Sequence, residues 1–102
     1  MSIKITQFFD ERRNQTILRV EGKLFLIDAE VLEQTLLELQ KEGLKQVEIN
    51  LSAVSFLNNE SAAVLRRLRR LGAVLTDINY FVQKVIEQTE STFADEEKNQ
   101  KK

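Results

Sequence analysis

The sequence contains no cysteine and no histidine. Disulfide staples, thiolate or imidazole metal sites, cysteine nucleophiles and histidine general bases are therefore excluded, and with them most common catalytic constellations. Carboxylates, lysines, hydroxyls and a single tyrosine are left for any chemistry. The carboxylates show no paired spacing that separates them from surface decoration, so no enzyme reading and no cofactor is supported. Proline is absent as well, which by itself selects no fold. An excess of one charge sign is also lacking: 15 basic against 16 acidic residues leave a net charge of −1. No global field then draws the chain to nucleic acid or to anionic lipid, and such binding would need a local patch. No apolar window approaches the ~20 residues that cross a bilayer. The opening "MSIKITQFFDERRNQ" turns charged before an apolar signal region can develop, so the expectation is a soluble cytoplasmic protein without membrane insertion.

What is present reads as one small domain. A chain of 102 residues buries roughly 60 to 70% of the surface that its unfolded form exposes, enough to fold without staples. Ile3 and Ile5 punctuate a first strand, "DERRNQ" is a polar turn with Asn14 near its end, and "TILRVEGKL" is a second, β-branched strand. Asp28 stands where a helix N-cap is expected. Behind it Ala29, Leu32, Leu36 and Leu39 recur at helical spacing, with Glu30, Glu33, Glu38 and Lys41 on the other side. Gly43 takes the usual position just past the helix end. "KQVEINLSAV" alternates Val47, Ile49 and Leu51 as a strand. A second helix carries Val64, Leu65, Leu68 and Leu71 and ends at Gly72; "AVLTDI" is a short strand; Asn79 caps a third helix with Phe81, Val82, Val85 and Ile86. From about Ser91 the periodicity is lost and a charged, disordered tail is expected over 91–102. The order β-β-α-β-α-β-α predicts an α/β fold: a mixed four-stranded sheet packed with helices, over residues 1–90.

Two stretches invite a functional reading. In "LNNESAAVL", Asn58 and Asn59 suit a helix cap because the short amide oxygen accepts a first-turn N–H, and Glu60 and Ser61 add a favourable charge or a local hydrogen bond. The same four residues could instead form a docking surface. In "RRLRRL", Arg66, Arg67, Arg69 and Arg70 flank the apolar stripe. Long basic side chains commonly cover solvated helix faces, and the alternative is a patch for an acidic partner or for the acidic first helix of a second copy. Nucleic acid is disfavoured by the small patch, the net charge and the lack of interleaved aromatics. Among the aromatics Phe25 is the candidate interaction anchor, as an exposed aromatic beside the helix-start loop would be.

The element order, together with "VEGKLFLIDAEVLEQTLLEL", "VEINLSAVSFLNNESAAVLRRLRRLGAVL" and "INYFVQKVIE", resembles the STAS domain family of anti-sigma factor antagonists and their relatives, over roughly Ile3 to Glu87. In that family the loop after the "L-S-x-V-x-F" strand typically reads Asp-Ser-Ser-Gly, and a partner kinase phosphorylates its first serine. Aligned on Phe56 and Leu57, this chain has Asn58 for the aspartate, Asn59 for that serine, Glu60 for the second serine and Ser61 for the glycine. A second acidic position of the family is Phe25 here. The resemblance implies a non-enzymatic module that binds a protein partner such as an anti-sigma factor or kinase-like regulator, without the usual phosphorylation switch. It implies as an alternative an assembly subunit of a lipid-transport or multi-protein signalling complex. A homodimer is a further expectation, with the acidic first helix meeting the basic second helix across a two-fold axis.

Overall fold

The computed structural model describes residues 3–44 and 46–88. The domain end expected at 90 and the charged tail expected over 91–102 lie outside the described residues. Strands β1 (Ile3–Asp10) and β2 (Gln15–Leu24) lead to helix α1 (Leu26–Lys41), followed by β3 (Val47–Leu57), α2 (Asn59–Arg70) and β4 (Val74–Thr76). Residues 80–88 form a third helix, α3. The strands lie in the order β1-β2-β3-β4. The first pair is antiparallel and the other two are parallel, so the mixed sheet predicted from the element order is the one observed.

Each local choice has a physical cause. The β1–β2 hairpin turns at Asn14, whose φ of 52° is left-handed, a conformation that asparagine tolerates better than most residues. Both main helices close with the same device. After α1, Gly43 (φ 93°) donates its N–H to Gln40 O and Leu44 donates to Leu39 O, both at 3.0 Å. After α2, Gly72 (φ 105°) donates to Arg69 O and Ala73 to Leu68 O, both at 3.1 Å. A residue with a side chain would be strained at either left-handed position, and the paired bonds satisfy carbonyls that the helix leaves open. Asn79 caps α3 as expected, its Oδ1 accepting the Val82 N–H at 2.9 Å.

The start of α1 differs from the sequence expectation. Its cap is Phe25, in extended backbone, and Asp28 lies within the first turn. Pairing of β2 with β3 continues to Leu24↔Leu57, which holds the chain extended until Phe25 and brings the helix start forward. Asp28 still serves this end: its Oδ2 accepts the Phe25 N–H at 3.1 Å.

Helices α1 and α2 pack against each other on one face of the sheet, as two parallel connections of the same hand in this strand order require. Leu18, Val20, Ile49 and Leu51 from the strands join Leu32, Leu36, Leu65 and Leu68 from the helices, with Val82 and Ile86 of α3, in one buried cluster. Phe81, expected in the apolar stripe of α3, is exposed instead. The other face of the sheet mixes polar residues with Phe8, Ile17 and Val74, which lie in register with Glu48, and Glu48 is buried there rather than facing solvent. Arg13 from the hairpin turn reaches its carboxylate at 3.1 Å, and the Thr76 hydroxyl donates to it at 2.8 Å. The alternation of β3 placed Glu48 on the correct face; only the packed turn and β4 bury it.

The core account predicts that Leu18→Ala, at a fully buried position in the sheet, costs about 2 to 5 kcal/mol by urea denaturation. Ile27→Ala, at a position 71% exposed on α1, is expected to change stability by about 0.5 kcal/mol or less.

Candidate partner-binding site

Two helices begin side by side at one end of the sheet. Because β2 and β3 are parallel and in register at Leu24↔Leu57, the next residue of each chain segment, Phe25 and Asn58, is the cap of a helix. The helices then run in the same direction. Their far ends are joined by Gln40 Nε2, which donates to Leu71 O at 2.7 Å. The Phe25 ring packs on Phe56 with centroids 5.1 Å apart and a 43° tilt, so the two starts are also joined by an aromatic contact. The Asn79 amide, which caps α3, donates to Val54 O at 3.0 Å and ties the start of the third helix to the last part of β3.

Asn58 and Ser61 form a closed cap. Ser61 N–H donates to Asn58 Oδ1 at 2.9 Å, and Asn58 N–H donates to Ser61 Oγ at 3.0 Å. The Ser61 hydroxyl in turn lies 2.9 Å from Asn58 Oδ1 and 3.0 Å from Asn58 O, both acceptors for its proton. This reciprocal arrangement satisfies first-turn donors that would otherwise be open, and Ser61 is fully buried by it. The sequence reading that assigned capping to "NNES" therefore holds for Asn58 and Ser61. Asn59 and Glu60 take no part in the cap and are exposed in the first turn. Glu60 adds a negative charge at the helix end where charge of that sign is favoured.

The arginines separate into different roles. Arg67 Nη2 donates to Glu33 Oε1 at 2.8 Å, and Arg67 Nε donates to Glu33 Oε2, a two-pronged contact that planar guanidinium geometry suits. The bond from Arg67 holds the Glu33 carboxyl below its ordinary value, and the same bond raises Arg67. The meeting of acidic first helix with basic second helix, expected across a two-fold axis, thus forms within one chain. Glu33 lies in the seam between the helices rather than on the solvent side of α1. Arg66 is half-buried and Arg70 exposed. Both lie farther along α2 than the Asn58–Ser61 cap, so the structure brings Phe25, Asn58, Asn59, Glu60 and Ser61 together and sets the arginines apart from them.

Sequence reasoning missed Phe56 and Ile27. Phe56 supports the Phe25 ring, and its signal was its place between buried Val54 and Leu57 near the end of β3. Ile27 is exposed on the first turn of α1. With the helix assumed to start at Asp28, it read as part of a loop. Phe25 and Ile27 together give the helix starts an exposed apolar border.

The Glu33–Arg67 pair carries a pH prediction. Glu33 titrates below its ordinary 4.5 in the folded chain, so the pair's contribution is fully present above that value and is lost as pH falls through the lower folded value. Arg67 is half exposed, and solvent screening limits the pair to about 1 kcal/mol or less. Urea denaturation of Arg67→Met against the parent is expected to show a deficit at neutral pH that shrinks as the pH is taken below Glu33's ordinary value. A deficit unchanged by acid would show that Arg67 acts only through packing.

The family model for the STAS domain matches residues 9–94. Among solved structures, the anti-sigma factor antagonist SpoIIAA in its unphosphorylated form is 19% identical, with 82% of each chain covered and a TM-score of 0.61. The Bacillus cell fate determinant SpoIIAA in its phosphorylated form is 18% identical, over 84% of this chain and 83% of that one, with a TM-score of 0.60. An antisigma-factor antagonist STAS domain from Rhodobacter sphaeroides is 26% identical, over 72% of this chain and 82% of that one, with a TM-score of 0.50. No curated protein matches the sequence. With the strand order, the paired helix starts and the match over most of its length in agreement, the chain belongs to the STAS domain family.

Proposed function

We propose that this protein is a non-enzymatic, cytoplasmic regulatory module that docks a protein partner through the adjoining starts of α1 and α2, in the manner of an anti-sigma factor antagonist but without phosphorylation control. The observation that carries the reading is the closed Asn58–Ser61 cap with Asn59 outside it. The cap closes the loop on itself, the Asn58 and Ser61 N–H groups each bonded to the other residue's side chain. Asn59, at the position where the family carries its phosphorylated serine, is exposed and cannot form a phosphomonoester. The step of about −1.5 to −2 charges by which phosphorylation repels or attracts a partner is therefore missing there. Ser61 does not replace it, because its hydroxyl is buried and bonded to Asn58. Recognition then rests on a constant surface: the amides of Asn58 and Asn59, the Glu60 carboxylate, and the apolar border of Phe25 and Ile27. Exposed apolar and aromatic side chains are the usual anchors of protein interfaces.

That apolar border also favours a second reading, in which the same surface is held permanently in a larger assembly. Standing interfaces are more apolar than exchanging ones. Recovery of a transporter or ATPase component with the protein, and no anti-sigma factor, would select that reading.

Incubation with an anti-sigma-type kinase and ATP tests the switchless mechanism. Mass spectrometry is expected to find residues 58–61 of the parent unmodified and phosphate on Asn59→Ser at the new hydroxyl. Phosphate on the parent loop would overturn the absence of a switch. An unmodified Asn59→Ser would count against recognition of this surface by that class of partner.

A further inference from the structure

β1 is an outer strand, paired with β2 along its 8 residues without a bulge. Its other edge has no strand beside it among the described residues. A long free edge displays a row of open N–H and C=O groups and is ordinarily blunted by charge, proline or a bulge. In β1 the charged residues stand toward the ends, at Lys4 and Asp10, and the segment between them reads Ile-Thr-Gln-Phe-Phe. Phe8 and Phe9 are 47% and 52% exposed. As neighbours in a strand they point to opposite faces, so this edge offers an apolar ring on each side of the sheet.

The sequence of β1 is complementary to itself when reversed. About a two-fold axis at Gln7, Lys4 falls opposite Asp10, Ile5 opposite Phe9 and Thr6 opposite Phe8. Unlike charges meet twice, and each aromatic faces a β-branched side chain, the pairings that favour neighbouring strands. The adjacent registers lack this. With the axis at Thr6, Lys4 faces Phe8, and the position opposite Asp10 falls outside the strand. With the axis at Phe8, Asp10 faces Thr6, and Lys4 faces Arg12. Asp10 is already bonded to Arg13 Nε at 2.9 Å, yet its side chain is 30% exposed and keeps room for a second cation.

We infer that β1 pairs antiparallel with β1 of a second copy of this chain about an axis at Gln7, joining two four-stranded sheets edge to edge. The contact is isologous, as a two-fold requires. It lies on the far side of β2 from the start of α2, so the docking surface stays open in the dimer.

Gln7 is exposed and, on the axis, faces its own copy, which gives a direct test. Sedimentation equilibrium over micromolar to millimolar concentrations is expected to show a reversible dimer of the parent. Gln7→Lys and Gln7→Glu each set like charges against each other and are expected to weaken self-association by up to about fivefold. An equal mixture of the two is expected to associate more tightly than either alone. Lys4→Asp, also at an exposed position, weakens the dimer by setting Asp against Asp10. Circular dichroism checks that each variant is folded. A parent that stays monomeric, a dimer that none of the changes weakens, or a mixture no tighter than its components would each overturn the proposal.

Discussion

Parallel pairing of β2 with β3, in register to Leu24↔Leu57, is the constraint on which the rest of this structure depends. It ends two strands at one level and so places the caps of α1 and α2 next to each other. Because both helices then leave the same end of the sheet on the same face, they run alongside each other. Glu33 can reach Arg67, and Gln40 can reach the Leu71 carbonyl. A slip of this register by one residue would turn the helix-facing strand residues, such as Leu18 and Ile49, away from the helices and would also part Phe25 from Phe56.

At the helix starts that this register creates, the chemistry is quiet. Asn58 and Ser61 satisfy each other, Asp28 accepts the Phe25 N–H, and the exposed residues are an amide, one carboxylate and two apolar side chains. Phosphorylation acts by bringing charge and new acceptors to such a position. Here the position holds Asn59, which has no hydroxyl to modify. On the proposed reading a partner is held by the amides, the Glu60 carboxylate and the apolar border, with no phosphate step at position 59 to release it.

Much of this was legible in the sequence because it rests on short-range rules. Helical spacing exposed the buried faces of α1 and α2, Gly43 and Gly72 marked their ends, and Asn58 and Asn79 marked two starts. The misreading of Asp28 has a long-range cause: the ladder to β3 fixes where β2 stops, and no residue near position 25 announces it. Glu48 shows the same limit, since its alternation pattern was that of a solvent-facing residue, and the turn carrying Arg13 and the short strand carrying Thr76 bury it. At the site, the cap could be read from residue type, whereas the closeness of Phe25 to the second helix start required the register between strands. The arginine run looked like one patch until α1 was placed against it and Arg67 was bonded to Glu33.

Site-directed photo-crosslinking in the cells that make this protein tests the central claim most directly. A benzophenone side chain placed at position 27 or 59, beside the two helix starts, is expected to give a discrete adduct with one protein partner, and one placed at position 74, 51% exposed on the opposite sheet edge from β1, is expected to give none. Adducts from position 74 with none from 27 or 59 would contradict the assignment of this end of the sheet as the docking surface.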